Sequence, residues 1–212
     1  MKKADVEALF GRLAEADPEP RGELDYQNPF TLLVAVVLSA QATDVGVNKA
    51  TPPLFAAADT PDKMVALGEA RVREFIKSIG LYRNKAKNVV ALSQRLIDEF
   101  DGEVPADRAA LESLPGVGRK TASVVLAEAW GHPAIAVDTH VKRLANRLGL
   151  TSNVDPVKIE HDLRALYPER RWAGISMRYI QFGRDVCDAR KPRCWECPLA
   201  DRCPYPDKTP PP

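Results

Sequence analysis

The sequence of 212 residues has no long hydrophobic run, almost no net charge and only four cysteines. Its longest nearly unbroken apolar stretch, residues 30–40, has half the length of about 20 residues that a membrane-spanning helix needs, so it predicts a buried helix. No apolar segment follows the lysines at the start, and we therefore expect no secretory signal, an intracellular protein and no membrane partner. Cysteines in that environment are rarely paired in disulfides.

Composition excludes several classes of protein, and the charge pattern favours one kind of partner. An apolar fraction of 45% and a charged fraction of 28% exclude a largely disordered chain, a collagen and a coiled-coil rod. Residues 1–112 carry 14 basic and 18 acidic side chains, whereas residues 113–212 carry 16 and 11. A basic half on a nearly neutral chain favours binding of a polyanion, although solvated surface charge is an alternative explanation.

Helical periodicity runs through nearly the whole chain and predicts an all-α protein. Asn28, which precedes a proline, and Asp138 are placed as N-caps, and Gly102 is placed to end a long helix. The predicted buried stripe of that helix comprises Ala86, Val89, Val90, Ser93, Ile97 and Phe100. Only residues 134–137 offer a short strand pattern, and the proline-rich C-terminal tail leaves little room for helix.

All four cysteines lie within seventeen residues, in the spacing C-x6-C-x2-C-x5-C. They are Cys187, Cys194, Cys197 and Cys203. Four thiolates in a short loop can fold that loop around a metal, and they suit either zinc or an iron–sulfur cluster. Neighbouring arginines and lysines would offset the negative charge of either centre, so the residues alone leave both open. Free thiols or disulfides are the remaining alternative.

A glycine-containing turn within residues 114–122 links two predicted helices. Gly116 and Gly118 are expected to adopt backbone angles that other residues resist and to allow close approach of a ligand. The next helix would direct its free N–H groups outward beside Arg119 and Lys120, an arrangement that binds anions. A DNA phosphate held there would fix the register without reading sequence, whereas a simple helix–helix turn is the alternative.

Lys120 and Asp138 are the candidate catalytic residues. The start of a helix and the adjacent Arg119 both disfavour a charged ammonium, and a nucleophilic lysine must be neutral. A capping carboxylate accepts backbone N–H bonds, which favours its charged form. Such an amine and carboxylate could displace a base at a sugar C1′ through a Schiff base and an oxocarbenium-like transition state. For Asp138 alone, an ordinary N-cap is the simpler interpretation.

Together these motifs resemble endonuclease III, the bifunctional DNA glycosylase/AP lyase family of the helix-hairpin-helix superfamily. The resemblance is carried by the glycine turn with Lys120, by Val-Asp-Thr-His at residues 137–140, and by the cysteine spacing. Residues 38–45 and 80–82 are similar to the same family. The resemblance covers essentially the whole chain.

The resemblance implies the fold of a helix-hairpin-helix DNA glycosylase in two helical domains. A six-helix barrel domain with the hairpin would occupy residues 22–132, and residues 1–21 and 133–212 would form a discontinuous iron–sulfur cluster domain. The four cysteines would hold one [4Fe–4S] cluster. The protein would be a monomer of bacterial type, cytoplasmic and associated in use with the nucleoid.

The resemblance also implies roles for individual residues. Lys120 corresponds to the Schiff-base nucleophile and Asp138 to the essential carboxylate. Gln41 and Leu81 correspond to residues inserted into the duplex where the damaged nucleotide is extruded, although periodicity alone would place Leu81 in the core. The remaining DNA-binding residues would be Leu114, Gly116, Val117, Gly118, Arg119 and His140.

The implied function is base excision repair of double-stranded DNA. The enzyme would remove oxidised or saturated pyrimidines by cleaving the N-glycosidic bond and would nick the abasic site by β-elimination. One alternative is a monofunctional adenine glycosylase, but that relative lacks a lysine at the position of Lys120, uses an early glutamate where residues 38–43 contain no acid, and has a further C-terminal domain. The other is a non-catalytic iron–sulfur DNA-binding module, in which Lys120 and Asp138 would occur together by coincidence.

Overall fold

The computed structural model describes residues 3–18, 20 and 22–212, apart from the side chains of Lys3 and Ala4. Residues 1, 2, 19 and 21, which the sequence assigns to the cluster domain, lie outside the described residues. Within the described chain all regular structure is helical, which confirms the all-α prediction, and residues 134–137 form no strand. None of the described helices is both long enough and apolar enough to cross a membrane.

The described part of the chain contains ten α-helices. They are α1 (Lys3–Ala16), α2 (Pro29–Ser39), α3 (Asp44–Ala57), α4 (Pro61–Ile76), α5 (Tyr82–Phe100), α6 (Arg108–Ser113), α7 (Arg119–Trp130), α8 (Thr139–Arg147), α9 (Pro156–Leu166) and α10 (Trp172–Asp185). The chain divides into two compact units. Glu23–Gly131, here called the middle unit, contains α2 to α7, and the terminal unit is formed by Met1–Gly22 with His132–Pro212.

The helix α2 is the buried centre of the middle unit. Nine consecutive residues, from Phe30 to Leu38, are buried, and α2 packs against α3, α5 and α7. Its start is fixed by a capping box, in which Asn28 Oδ1 accepts from the Thr31 amide at 2.8 Å and Thr31 Oγ1 accepts from the Asn28 amide at 2.9 Å. The apolar run therefore forms a buried helix, as predicted.

The buried face of α5 differs from the predicted stripe. Ala86, Val89 and Ser93 are buried as predicted, but Val90, Ile97 and Phe100 are only partly buried. Leu92 and Leu96 are fully buried instead, because α5 packs against both α4 and α2 and its buried face is turned toward that pair. The predicted end of the helix is confirmed by the Gly102 amide, which donates to Leu96 O at 2.9 Å.

The N-terminal helix packs with the C-terminal half of the chain to form the terminal unit. Buried side chains of α1, α8, α9 and α10 share one apolar core. Arg178 of α10 donates from Nε to Asp17 O at 3.0 Å and from Nη2 to Pro18 O at 2.9 Å, which holds the segment that follows α1. Arg12 of α1 donates to Pro198 O at 2.8 Å. These bonds join two segments that are far apart in the sequence.

Candidate functional site

Lys120 lies in the first turn of α7, directly after the glycine turn, and its side chain is exposed. Among the described residues no side chain caps this helix, which begins after Gly118. The buried hydroxyl of Ser123 donates to Arg119 O at 2.9 Å and accepts from Arg108 Nη1 of α6 at 2.9 Å. The start of α7 is thereby tied to α6 from the inside, while Lys120 is presented to solvent.

The two glycines of the turn differ in a way that the sequence did not indicate. Gly116 has a left-handed backbone, with φ of +80°, and a Cβ there would lie 2.8 Å from Asn88 Nδ2. Gly118 has an ordinary φ of −100°, so the expectation that it needs unusual backbone freedom is wrong. A Cβ on Gly118 would contact no other protein atom within 4 Å. Its small size therefore leaves the backbone open to close approach from outside the protein.

Leu114 and Val117 anchor the turn through their buried side chains. Leu114 is 2% exposed and Val117 is 6% exposed, and the Val117 amide donates to Leu114 O at 3.1 Å. Buried apolar side chains cannot contact a ligand, so these two predicted DNA-binding positions can offer only backbone groups. Arg119 at the start of α7 is half-buried.

Gln41 and Leu81 lie on two neighbouring loops of the middle unit. A Cβ on Gly80 would lie 3.8 Å from Gln41 O, which shows how close the loops are. Both residues have a left-handed backbone, with φ of +54° and +59°, a conformation that costs a non-glycine residue roughly 1–2 kcal/mol. Leu81 is 57% exposed, so the expectation from periodicity that it belongs to the core is wrong. The strained backbone at Leu81 holds the apolar side chain of that residue in solvent. An exposed apolar side chain is what insertion between bases requires.

In the terminal unit, Asp138 is the N-cap of α8, as predicted. Its Oδ1 accepts a hydrogen bond from the Val141 amide at 2.8 Å, and the residue is half-buried. The carboxylate therefore has a fixed orientation, because one of its oxygens is held by the helix that follows. A carboxylate that is held in this way can act on charge that develops nearby without first reorganising.

His140 is oriented by an arginine that the sequence analysis missed. Arg143 Nη2 lies 3.0 Å from His140 Nδ1 and donates to Gly183 O at 2.8 Å, while Arg143 Nε donates to Cys187 O at 3.0 Å. Burial lowers the pKa of His140, with Arg143 adding to the shift against the opposing effect of Asp138. The contact with Arg143 holds the imidazole ring in one orientation. An arginine three residues after the histidine on a helix was the available sequence signal.

The four cysteines are free, half-buried thiols that line one cavity of the terminal unit. Leu144 of α8 and Phe182 of α10 also line this cavity, as do basic side chains such as Arg147. Burial raises the pKa of the Cys197 and Cys203 thiols. No three of the described His, Cys, Asp or Glu side chains are close enough together to hold a metal ion. Four cysteine ligands are the donor set of a [4Fe–4S] cluster, so the residues fit that group.

Arg147, at the end of α8, organises the cysteine segment. Its Nη1 donates to Cys187 Sγ at 3.3 Å and to Asp188 O at 2.7 Å, and its Nη2 donates to Ala189 O at 2.9 Å. The guanidinium carbon also lies 4.5 Å from the centre of the Tyr205 ring. A fixed cation at this distance would offset the negative charge of a thiolate at Cys187. The basic residues nearer the cysteines are evident from the sequence, but this arginine is not.

Comparison with known families defines the class of the protein. Residues 34–169 match the HhH-GPD superfamily of base excision DNA repair proteins. Residues 187–203 match the iron–sulfur binding domain of endonuclease III. The helical fold, the glycine turn and the cysteine segment therefore occur together in a base excision repair protein of the helix-hairpin-helix class.

Individual relatives narrow the class to a family. The chain is 52% identical over 198 residues to endonuclease III of Treponema pallidum (strain Nichols), covering 93% of this chain and 94% of the relative. It is 48% identical over 208 residues to endonuclease III of Escherichia coli (strain K12), covering 98% and 99%. The solved structure of a trapped endonuclease III–DNA covalent intermediate is similar, with a TM-score of 0.92, 45% identity and 97% of each chain covered.

The chain therefore belongs to the endonuclease III family. It is a base excision repair DNA glycosylase and AP lyase, and its cofactor is a [4Fe–4S] cluster. These findings confirm the fold class, the enzyme class and the cofactor predicted from the sequence. The choice between zinc and iron–sulfur, which the residues alone left open, is decided by the family match.

Proposed function

We propose that this enzyme removes oxidised or saturated pyrimidines from double-stranded DNA and nicks the resulting abasic site, with Lys120 as the nucleophile. The observation that carries the proposal is the exposed Lys120 side chain in the first turn of α7, behind the glycine turn. A solved relative is a trapped covalent intermediate of endonuclease III with DNA. A covalent bond to DNA is what an amine nucleophile would form.

In the proposed reaction, Lys120 Nζ attacks C1′ of the damaged nucleotide while the N-glycosidic bond breaks, and the base leaves with a proton. The remaining amine proton moves to O4′ as the C1′–O4′ bond of the sugar breaks, which gives a Schiff base. Removal of a proton from C2′ then expels the 3′ phosphate, and water releases the enzyme. Asp138 would stabilise the positive charge that develops on the sugar, since its carboxylate is held in place by the Val141 amide.

DNA-binding groups are proposed in each unit. In the middle unit, which we assign to the six-helix barrel domain, the backbone from Leu114 to Arg119 would bind a phosphate. Gln41 and Leu81 would enter the duplex beside the extruded nucleotide. In the terminal unit, assigned to the cluster domain, the imidazole ring of His140 would contact the DNA backbone.

The four cysteines would be the ligands of the [4Fe–4S] cluster in the terminal unit. The bound cluster supplies iron–thiolate bonds that cross-link residues 187–203, a segment with few helical hydrogen bonds of its own. No step of base excision requires it to change its oxidation state. Arg147 would donate to the ligand sulfur of Cys187 and offset its charge.

The setting of the reaction follows from the relatives, which are bacterial proteins. We propose that the enzyme acts as a monomer in the cytoplasm, on the DNA of the nucleoid. An adenine-specific activity is disfavoured because residues 38–43 contain no acid and position 120 is a lysine. A binding module without catalysis would use the exposed amine only to bind phosphate and would form no crosslink to DNA on reduction.

Borohydride trapping tests the proposal. Duplexes that each contain one thymine glycol, one abasic site or one adenine opposite 8-oxoguanine are incubated with the iron-loaded enzyme and with the Lys120→Gln variant. Wild-type enzyme should nick the thymine glycol and abasic duplexes and should form a permanent crosslink after reduction. Lys120→Gln should bind the same duplexes but neither nick nor crosslink them. Efficient crosslinking by that variant would show that another amine is the nucleophile.

A further inference from the structure

The glycine turn is braced from the side by α5. Asn88 of α5 is half-buried, and its side chain fills the space beside Gly116 Cα. A Cβ on Gly116 would lie 2.8 Å from Asn88 Nδ2, 3.0 Å from its Cβ and 3.1 Å from its Cγ. The first separation is below what real Cβ contacts show and the other two are tighter than most, so any side chain at Gly116 would displace the turn or Asn88.

A second contact from α5 holds the start of the same segment. Arg95 Nη1 donates to the backbone oxygen of Ser113, the last residue of α6, at 2.5 Å. Asn88 and Arg95 are seven residues apart, which places them on one face of α5 about two turns from each other. One helix face therefore contacts both Ser113 and Gly116, and Leu92 between them is fully buried.

The same helix begins at the exposed Leu81 loop. Leu81 is the residue before α5, and its carbonyl accepts the amide of Lys85 at 3.1 Å, so its backbone is continuous with the helical hydrogen bonds. Asn88 lies seven residues further on, about 10 Å along the helix axis at 1.5 Å per residue. A single rigid element thus carries Leu81 at its start and supports the glycine turn with its second and later turns.

We infer, on the basis of the function proposed above, that Asn88 is a positioning residue for DNA binding. Its packing against Gly116 fixes the phosphate-binding turn at a set distance from the Leu81 side chain on the same helix. Asn88 itself need not contact DNA in this arrangement. Its effect is transmitted through the turn, because a closely packed contact shifts only when one partner moves.

A double-mutant cycle tests this inference. Binding of a duplex with a stable abasic-site analogue is measured for wild type, Asn88→Ala, Gly116→Ala and the double variant, all loaded with iron. Asn88→Ala should weaken binding about threefold to tenfold and should lower the salt slope by about 0.9 if one phosphate contact is lost. Gly116→Ala should weaken binding more, because it combines a left-handed backbone with a steric clash.

The effects of the two substitutions on DNA binding should depend on each other. In the Asn88→Ala background the contacts with Nδ2 and Cγ are gone and only the 3.0 Å contact with Cβ and the backbone strain remain, so the effect of Gly116→Ala should shrink by about threefold. Gln94→Ala, an exposed position on the same helix, is the matched control and should leave the dissociation constant and the salt slope unchanged. Thermal unfolding and iron content should be the same for Asn88→Ala, Gln94→Ala and wild type.

Additive effects of the two substitutions, within about twofold, would overturn the inference. If Gly116→Ala does not fold, a cycle of Asn88→Ala with Arg95→Ala replaces it, and additivity there counts against the inference in the same way. Failure of the wild-type enzyme to bind or nick damaged duplex would instead contradict the proposed function. Wild-type activity with an additive cycle would remove only the role of Asn88.

Discussion

The middle and terminal units reach a defined structure by different means. The middle unit is built on α2, a helix with nine consecutive buried residues, around which the other helices are placed by caps and apolar faces. The terminal unit contains a segment after Asp185 with no α-helix among its residues, all of which are described. That segment is held by side chain to backbone bonds from arginines, such as Arg147 to Asp188 and Ala189.

This difference predicts which substitutions remove local structure and which leave the fold intact. Hydrophobic burial in the middle unit is spread over many side chains, so its functional loops can carry strain at Gln41 and Leu81. In the cysteine segment, order depends on a few strong links, each of which matters more. Loss of one link in the terminal unit should therefore remove local structure, whereas loss of one functional side chain in the middle unit should leave the fold intact.

The largest effect is expected from Cys197→Ser. A serine is a poor ligand for iron, so the variant should lose visible absorbance and most of the roughly four irons per chain. Hydrogen exchange should rise over residues 187–203 while Glu23–Gly131 keeps its protection. Trp195→Ala, an exposed position in the same segment, is the control and should keep its iron. Two results would contradict this account of the terminal unit. One is a colourless wild-type protein that contains one zinc, and the other is unchanged hydrogen exchange in Cys197→Ser.

The next largest effect is expected from Asp138→Asn. The amide keeps an acceptor for the Val141 N–H, so the helix cap and the fold should survive, while the negative charge is lost. Removal of a preorganised electrostatic group costs about 10²–10³ in rate, and single-turnover excision should slow by that factor.

The control for Asp138 is Asp155, the N-cap of α9 in the same unit. Its Oδ1 accepts from the Val157 and Lys158 amides, each at 3.0 Å, so Asp155→Asn makes the same chemical change at another helix start. Asp155→Asn should leave the excision rate unchanged. Equal slowing in both variants would mean that Asp138 acts only through the stability of α8.

More of the fold than of the candidate site could be predicted from the sequence. Caps at Asn28 and Asp138 and the end of a helix near Gly102 follow from local chemistry, and each is confirmed. The orientation of α5 could not be predicted, because the helix is apolar on more than one side and its neighbours decide which side is buried. Periodicity alone places Leu81 wrongly in the core for a related reason, since it does not show that the residue lies just before the helix.

The supporting residues of the site were invisible to motif analysis. Asn88 and Arg95 are ordinary polar residues on α5, and only the folded chain brings them to the glycine turn. Arg143 and Arg147 likewise act through distant carbonyls of residues 183–189. Motifs report groups that perform chemistry, whereas contacts between distant segments determine how those groups are held.

A smaller effect is expected from Leu81→Ala and Gln41→Ala. Extrusion of a base costs a few kcal/mol of unstacking, so loss of an inserted side chain should slow excision from intact duplex by roughly tenfold to a hundredfold. Cleavage of a preformed abasic site should change much less, because no base remains to be extruded. Val154→Ala, which removes a 70% exposed apolar side chain from the terminal unit, should affect neither reaction. Equal losses on both substrates would assign Gln41 and Leu81 a structural role.

The smallest effect is expected from Gly118→Ala. Its φ of −100° and the free space around it mean that the fold tolerates a methyl group, apart from a weaker N-cap worth a few tenths of a kcal/mol. A methyl group beside the phosphate-binding backbone should nevertheless weaken binding several-fold for damaged and undamaged duplexes alike, because phosphate contacts carry no sequence information. Gly11→Ala in α1 also meets open space and should leave DNA binding unchanged while slightly raising the unfolding temperature. A change in lesion preference without a change in overall affinity would mean that Gly118 faces the base and not the backbone.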